Sequence, residues 1–179
     1  EAGSKAIKTN TFAVNRVSFQ GNEELVERTI QAGWKLACEA AKDQAYVFAD
    51  IGPISGLPET MDIREEFRFV ADCFLQLGAP HFLFETNANA EGLQETAAYI
   101  IVSFAIQLDG FSRDGSFAAD LLHEVQACTD IDSIGFNCVC GARHMLELAQ
   151  ELDHTGITLS LMPNAGYPVV INNRSFYEG

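Results

Sequence analysis

The sequence predicts an α/β protein built as a (β/α) barrel, and three observations predict it. Strand-like and helix-like stretches alternate along the whole chain. The strand-like stretches are continuous apolar runs, so both faces of each are buried, as in a parallel sheet wrapped by crossover helices. No G-x-G-x-x-G, P-loop or G-x-S-x-G occurs, and the first strand is not followed by a Gly-rich turn, which turns the reading away from a dinucleotide fold.

The elements follow in order. Ala6–Phe12 reads as a short strand ending in Thr9-Asn10-Thr11-Phe12. Asn22 or Gly21 caps a helix over Glu23–Lys42, whose apolar positions Leu25, Val26, Ile30, Trp34, Ala37 and Cys38 fall at helical spacing. Acidic Glu23 and Glu24 suit the positive end of its dipole. Ala45–Ile51 is a strand stopped by Gly52-Pro53, and Asp62–Leu77 a helix on Ile63, Phe67, Val70, Phe74 and Leu77, closed by Gly78. His81–Glu85 is a third strand. Glu91–Tyr99 reads as a short helix that runs into a strand, Ile100–Ile106, with no turn residue between them. That join is shorter than the ~2–6 residues an αβ loop takes. Asp109–Ser116 is a turn-rich loop and Ser116–Cys128 a helix. The strand Ile134–Val139 breaks at Gly141 into the helix Ala142–Leu152, and Ile157–Met162 is the last strand. The tail from Pro163 onward reads as loop.

A chain of 179 residues is one domain by size, large enough to bury a core. Its formal net charge of −14 speaks against nucleic acid or an anionic membrane as partner, since both require a basic surface. No apolar run approaches the ~18–20 residues of a membrane span. The N-terminus is neither a signal peptide nor a methionine start, so the chain is expected to begin inside an element. Five cysteines without a compact framework point to a reducing compartment, hence a cytoplasmic location. Cys38, Cys73 and Cys128 lie in helical patterns and are expected to be buried structural thiols. The sequon Asn173-Arg174-Ser175 is then a chance match.

In a barrel the C-terminal strand ends form one rim, which carries the site. That rim reads Thr9-Asn10-Thr11-Phe12, Asp50 with Gly52-Pro53, Glu85-Thr86, Ser103-Phe104, Asn137-Cys138 and Pro163-Asn164-Ala165-Gly166. It is small, polar and acidic, with one cysteine and no histidine. His81 begins a strand and faces the opposite end, while His123, His144 and His154 sit on or after helices. Cys140 has two readings: half of a C-x-C thiol pair with Cys138, or a small apolar residue at a helix start.

The ordered set Thr-Asn-Thr-Phe, Gly-Pro, Glu-Thr, Gly-Phe-Asn-Cys and Pro-Asn-Ala-Gly resembles the homocysteine S-methyltransferase family through nearly the whole chain. That family includes the homocysteine-binding module of cobalamin-dependent methionine synthase and of its fusions with methylenetetrahydrofolate reductase. The resemblance implies a zinc-dependent (β/α)8 TIM barrel, here incomplete, with strands two to seven present and strands one and eight missing. It implies zinc held by one cysteine after strand six, matched by Cys138, and by two adjacent cysteines after strand eight. The Gly-Gly-Cys-Cys-Gly motif that carries those two is absent from this sequence, so the remaining ligands are expected outside the chain.

By the same resemblance Glu85 binds the substrate's ammonium group, Asn137 lies at the site and orients the metal ligand, and Asn10 and Asn164 line the pocket. The chemistry wants such residues because a free thiol, with pKa ~8.5, is mostly protonated at neutral pH. Zinc bound by thiolates holds a substrate thiol deprotonated and oriented toward an electrophilic methyl group. The reaction implied is methyl transfer to homocysteine, giving methionine. The donor stays open among methylcobalamin, methylated folate reached through other domains, betaine and S-methylmethionine. Two rivals are a binding or scaffold module derived from the same barrel and a barrel enzyme of unrelated chemistry. Strands next to the missing pair would leave unpaired edges, so self-association, or docking to further domains of a parent protein, is expected.

Overall fold

The computed structural model describes residues 3–87, 99–128, 130–165, 168–171 and 174–177, the last two ranges as backbone. Two compact units are present, the first comprising residues 1–85 and 91–100, the second 86–90 and 101–179.

The first unit carries β1 (Ala6–Lys8), α1 (Glu23–Ala41), β2 (Tyr46–Ile51), α2 (Ile63–Gln76) and the start of β3 (His81–Asn87). β1 pairs with β2 and β2 with β3, both parallel, so α1 and α2 are the crossovers of two successive βαβ units. Both helices are capped by side chains, α1 by the predicted Asn22 and α2 by Asp62. The Asn22 side chain accepts from the Leu25 N–H at 3.1 Å, and the Asp62 carboxylate from the Arg64 N–H at 2.8 Å. Each satisfies an otherwise orphaned N–H of a first helical turn.

The strands of this unit present two unlike faces. Ile7 and Val47 pack on Ala37, Ala41 and Trp34 of α1. Phe82 and Phe84 meet Phe74 and Phe67 of α2 edge to face. The alternate positions Lys8, Phe48, Asp50, His81 and Glu85 share the opposite face, because successive strand side chains alternate. At its N-terminal end His81 packs among Tyr46, Phe48 and Tyr99, away from the carboxylates, as expected for a residue that opens a strand.

The segment between β1 and α1 is anchored by an ion pair. Glu66 of α2 is fully buried and accepts from both the backbone N–H and the Nε of Arg16, each at 2.7 Å. Arg16 also donates to Glu23 at 2.8 Å and lies 4.4 Å over the Phe69 ring. Gly52 is required where the chain leaves β2: a Cβ there would fall 2.5 Å from the Phe12 carbonyl oxygen.

The second unit carries most of β4 (Tyr99–Phe104), then α3 (Ala118–Gln126), β5 (Ser133–Gly141), α4 (Ala142–Glu151) and β6 (Thr158–Asn164). β4, β5 and β6 pair in parallel in that order, with Ser103, Gly135 and Ser160 aligned across them. A Cβ on Gly135 would meet the Ser160 carbonyl oxygen at 2.8 Å and the Ser103 hydroxyl at 3.1 Å, so glycine keeps this layer thin. Between Asn137 and Gly141 the β5–β6 register shifts, and Cys138 and Val139 take left-handed φ values of 58° and 56°.

Several expectations are corrected. The first strand stops at Lys8, so the Thr9–Phe12 stretch is loop rather than strand. Tyr99 belongs to a strand; the rest of the helix read over Glu91–Tyr99 lies outside the described residues. The last parallel strand runs on through Pro163 and Asn164. The tail read as loop contains an antiparallel hairpin, β7 (Pro168–Ile171) with β8 (Arg174–Tyr177). Cys38 and Cys128 are exposed and Cys73 half-buried, rather than buried, because the buried stripe of α1 runs through Val26, Ile30, Ala37 and Ala41 and passes Cys38 by. No helix among the described residues is long and apolar enough to cross a membrane.

Candidate functional site

Two side-chain clusters stand at C-terminal strand ends, one in each unit. In the first unit Asp50 ends β2 and Glu85 lies on β3, and the Lys8 ammonium bridges them. It is 3.2 Å from Asp50 Oδ2 and in direct contact with Glu85 Oε2. The carboxylate side chains are 2% and 10% exposed, the lysine 44%. Around them Thr9 and Thr11 are buried and share a hydroxyl–hydroxyl hydrogen bond of 2.6 Å. The Asp50 N–H donates to Thr9 Oγ1 and Thr11 Oγ1 donates to the Asp50 carbonyl, which ties the loop after β1 to the end of β2.

Burial, and then repulsion from Glu85, push the Asp50 carboxyl up to about 6, against the pull of Lys8. Burial lowers the Lys8 ammonium, but its hydrogen bond to Glu85 and the attraction of Asp50 outweigh this, and the net shift is upward. Asp50 Oδ1 is buried and has no hydrogen-bond partner among the described residues.

A stability prediction follows from Asp50. A carboxyl whose folded pKa exceeds its unfolded value binds more protons when folded. Its contribution is therefore most favourable below pH ~4 and is lost as pH rises through about 6. The rise from 3.8 to about 6 corresponds to roughly 3 kcal/mol. Asp50→Asn is expected to flatten the fall in stability between pH ~4 and ~6. Hydrogen exchange of β2 amides across that range measures it, and an unchanged slope in the variant would contradict the assignment.

In the second unit Asn137 is the hub. It is 1% exposed and uses its whole amide. Oδ1 accepts from the Thr86 N–H at 3.0 Å and from the Ser103 hydroxyl at 2.7 Å. Nδ2 donates to Thr86 Oγ1 at 2.7 Å and to the Cys138 sulfur at 3.2 Å. A backbone N–H can only donate, so the Thr86 contact fixes which way the amide faces. The Cys138 sulfur is half-buried, 3.8 Å from Thr86 Oγ1.

Thr86, Cys138 and Val139 all have positive φ, and two of them are β-branched, for which that conformation is costly. The bulge these angles create turns Cys138 out of the strand pleat. It also separates the two thiols of the C-x-C spacing: Cys140 is 4% exposed and its thiol donates to the Ile106 carbonyl at 3.2 Å. The reading of Cys140 as a buried small residue is the one the packing supports. Burial pushes the Cys140, Cys38 and Cys73 thiols up, Cys73 to about 11, which holds all three protonated at neutral pH.

The other named residues are less engaged. Asn10 is exposed, between the buried Thr9 and Thr11, and Asn164 is half-buried at the end of β6, aligned with Gly141. His123, His144 and His154 are exposed. Sequence reasoning missed Lys8 altogether; the available signal was a charged residue at a strand end beside the rim motif Thr9-Asn10-Thr11. It named Thr86 and Ser103 on the rim without a role. Among the described residues no group of three or more His, Cys, Asp or Glu is placed to hold a metal ion. As a donor set Cys138 fits one position of a thiolate site: an accessible sulfur that accepts a hydrogen bond from a fixed amide.

The chain is 32% identical over 200 residues to the methionine synthase of Mycobacterium tuberculosis (strain ATCC 25618 / H37Rv) and 30% identical over 202 residues to that of Mycobacterium leprae (strain TN). Each match covers 95% of this chain, which spans 16% of the length of either relative. Among solved structures, the homocysteine methyltransferase MmuM from Escherichia coli matches in its metallated form with a TM-score of 0.72 at 18% identity, covering 92% of this chain and 68% of that one. Its apo form matches with a TM-score of 0.63 at 18% identity, covering 83% and 61%. This likeness establishes an α/β fold shared with that enzyme. The sequence model of the homocysteine S-methyltransferase family matches residues 1–178, and the chain belongs to that family.

Proposed function

We propose that this chain is the homocysteine-binding part of a zinc-dependent thiol methyltransferase that makes methionine. The observation that carries the reading is the Asn137 hub, which aims a hydrogen-bond donor at the sulfur of Cys138 on a strained bulge at a strand end. Backbone strain of this kind gathers at functional positions. Cys138 is the thiolate this chain contributes, and the other ligands come from outside the described residues. Zinc held there supplies a lowered pKa for the substrate thiol.

The chain's own residues bind and orient. Glu85 takes the substrate's ammonium. Asn137 and Thr86 hold the Cys138 sulfur in one direction, and because Asn137 is saturated its amide cannot rotate away. By the same family resemblance Asn10 and Asn164 would line the pocket. Cobalamin or folate, reached through other domains, is the donor reading that fits a chain so much shorter than its methionine synthase relatives.

The test is methionine formation from homocysteine by the full-length protein with each donor in turn, and Glu85→Gln adds a sharper arm. A charge-assisted hydrogen bond is worth about 1.5–3 kcal/mol, so KM for homocysteine is expected to rise about 10- to 100-fold. The contact exists before and during methyl transfer, so kcat should change little. A large fall in kcat at constant KM would instead give Glu85 a part in the chemical step.

A further inference from the structure

We propose that Lys8 is a positioning residue that occupies the ammonium position at Glu85 until an amino-bearing ligand arrives, and that Asp50 is where its own ammonium then rests. This deepens the homocysteine reading above and rests on it.

The cluster holds two carboxylates that are nearly out of solvent and one ammonium, so with both carboxylates ionised it is one positive charge short. Buried charge is tolerated where it is paired, so the cluster is built to accept one further cation. The geometry says which group gives way. The carboxylates sit on paired strands, and the backbone of Asp50 is locked to Thr9 and Thr11. Lys8 is the exposed partner, at the end of a three-residue strand, on a long flexible stem.

The place it moves to is also visible. Lys8 already lies 3.2 Å from Asp50 Oδ2, while Oδ1 of the same carboxylate is buried and has no partner among the described residues. An ammonium has three donors. When a ligand ammonium takes Glu85, the Lys8 ammonium can turn both of its remaining contacts onto Asp50 and satisfy the orphaned oxygen. Each carboxylate then has its own cation. A ligand without an amino group gains nothing from this exchange, and Lys8 simply stays on Glu85. Lys8 and Asp50 therefore set how strongly the site prefers an α-amino thiol over its deaminated counterpart.

The experiment is calorimetric binding of L-homocysteine and of 4-mercaptobutanoate, which keeps the thiol and carboxylate and lacks the ammonium, to the metal-loaded full-length protein. Lys8→Met removes the internal competitor and is expected to raise the preference for homocysteine about tenfold or more. Asp50→Asn removes the resting place and is expected to weaken homocysteine about tenfold while leaving the deaminated compound unchanged. General structural damage would weaken both ligands in both variants. An unchanged preference in Lys8→Met, or a loss of homocysteine binding in both variants alike, overturns the proposal and leaves the homocysteine reading standing. If the wild-type protein binds neither compound, the homocysteine reading itself falls and takes this one with it.

Discussion

Cys138→Ala in the full-length protein is expected to reduce methyl transfer to background, whereas Cys38→Ala leaves it essentially intact. The two thiols differ in every respect that matters to a metal or a nucleophile. Cys138 stands on a bulge near the C-terminal end of β5, where the regular pairing with β6 shifts, half-buried, with its sulfur 3.2 Å from the fixed Asn137 amide. Cys38 lies on the exposed side of α1, and burial of its surroundings pushes its pKa up. In open and closed α/β folds alike, strand ends hold the chemistry and helix flanks do not. Steady-state methionine formation at matched folded fraction is the measurement. Equal losses in the two variants would mean that the assignment of the site to the β5 end is wrong.

The largest expected effect on stability belongs to Glu66. Its carboxylate is fully buried, and two of its contacts hold Arg16 and the chain leading into α1. Removing one member of a buried pair strands the other, which costs about 3–5 kcal/mol. Glu66→Ala is therefore expected to destabilise the first unit by about that amount. Glu23, the other partner of Arg16, is 56% exposed, and Glu23→Ala should cost less than ~1 kcal/mol. Hydrogen exchange of α1 and α2 amides in increasing urea reads both. Similar, small effects at the two positions would show that Glu66 is not what anchors this segment.

The helices were the most legible part of the chain. α1 starts where the Asn22 cap placed it and α2 within a residue of the Asp62 start read from its apolar stripe, because a cap and a stripe are local signals. The stripe was read too broadly: Leu25 and Cys38 have helical spacing but lie off the buried arc, and both are exposed. The antiparallel pair in the tail has a trace in the sequence. Val169-Val170-Ile171 and Ser175-Phe176-Tyr177 flank Asn172-Asn173, a β-branched and aromatic pair of runs around a two-residue turn sequence.

The site was legible in its residue types and not in its wiring. Glu85, Asn137 and Cys138 could be picked out at strand ends. The left-handed angles at Thr86, Cys138 and Val139 could not, since β-branched residues signal extended strand rather than positive φ. Without that bulge Cys138 and Cys140 would have shared a face, which is why a C-x-C pair remained open from the sequence. Lys8 was invisible for another reason: its partners Asp50 and Glu85 are 42 and 77 residues away, and only pairing of β1, β2 and β3 brings them together.

Cys138, and no other cysteine of this chain, is the proposed ligand of the catalytic metal. Zinc content of the full-length protein after dialysis against a mild chelator tests it most directly, for the wild type, Cys138→Ala and Cys140→Ala. One zinc per chain is expected in the wild type and in Cys140→Ala, and loss of the metal in Cys138→Ala. Stoichiometric zinc retained by Cys138→Ala would contradict it.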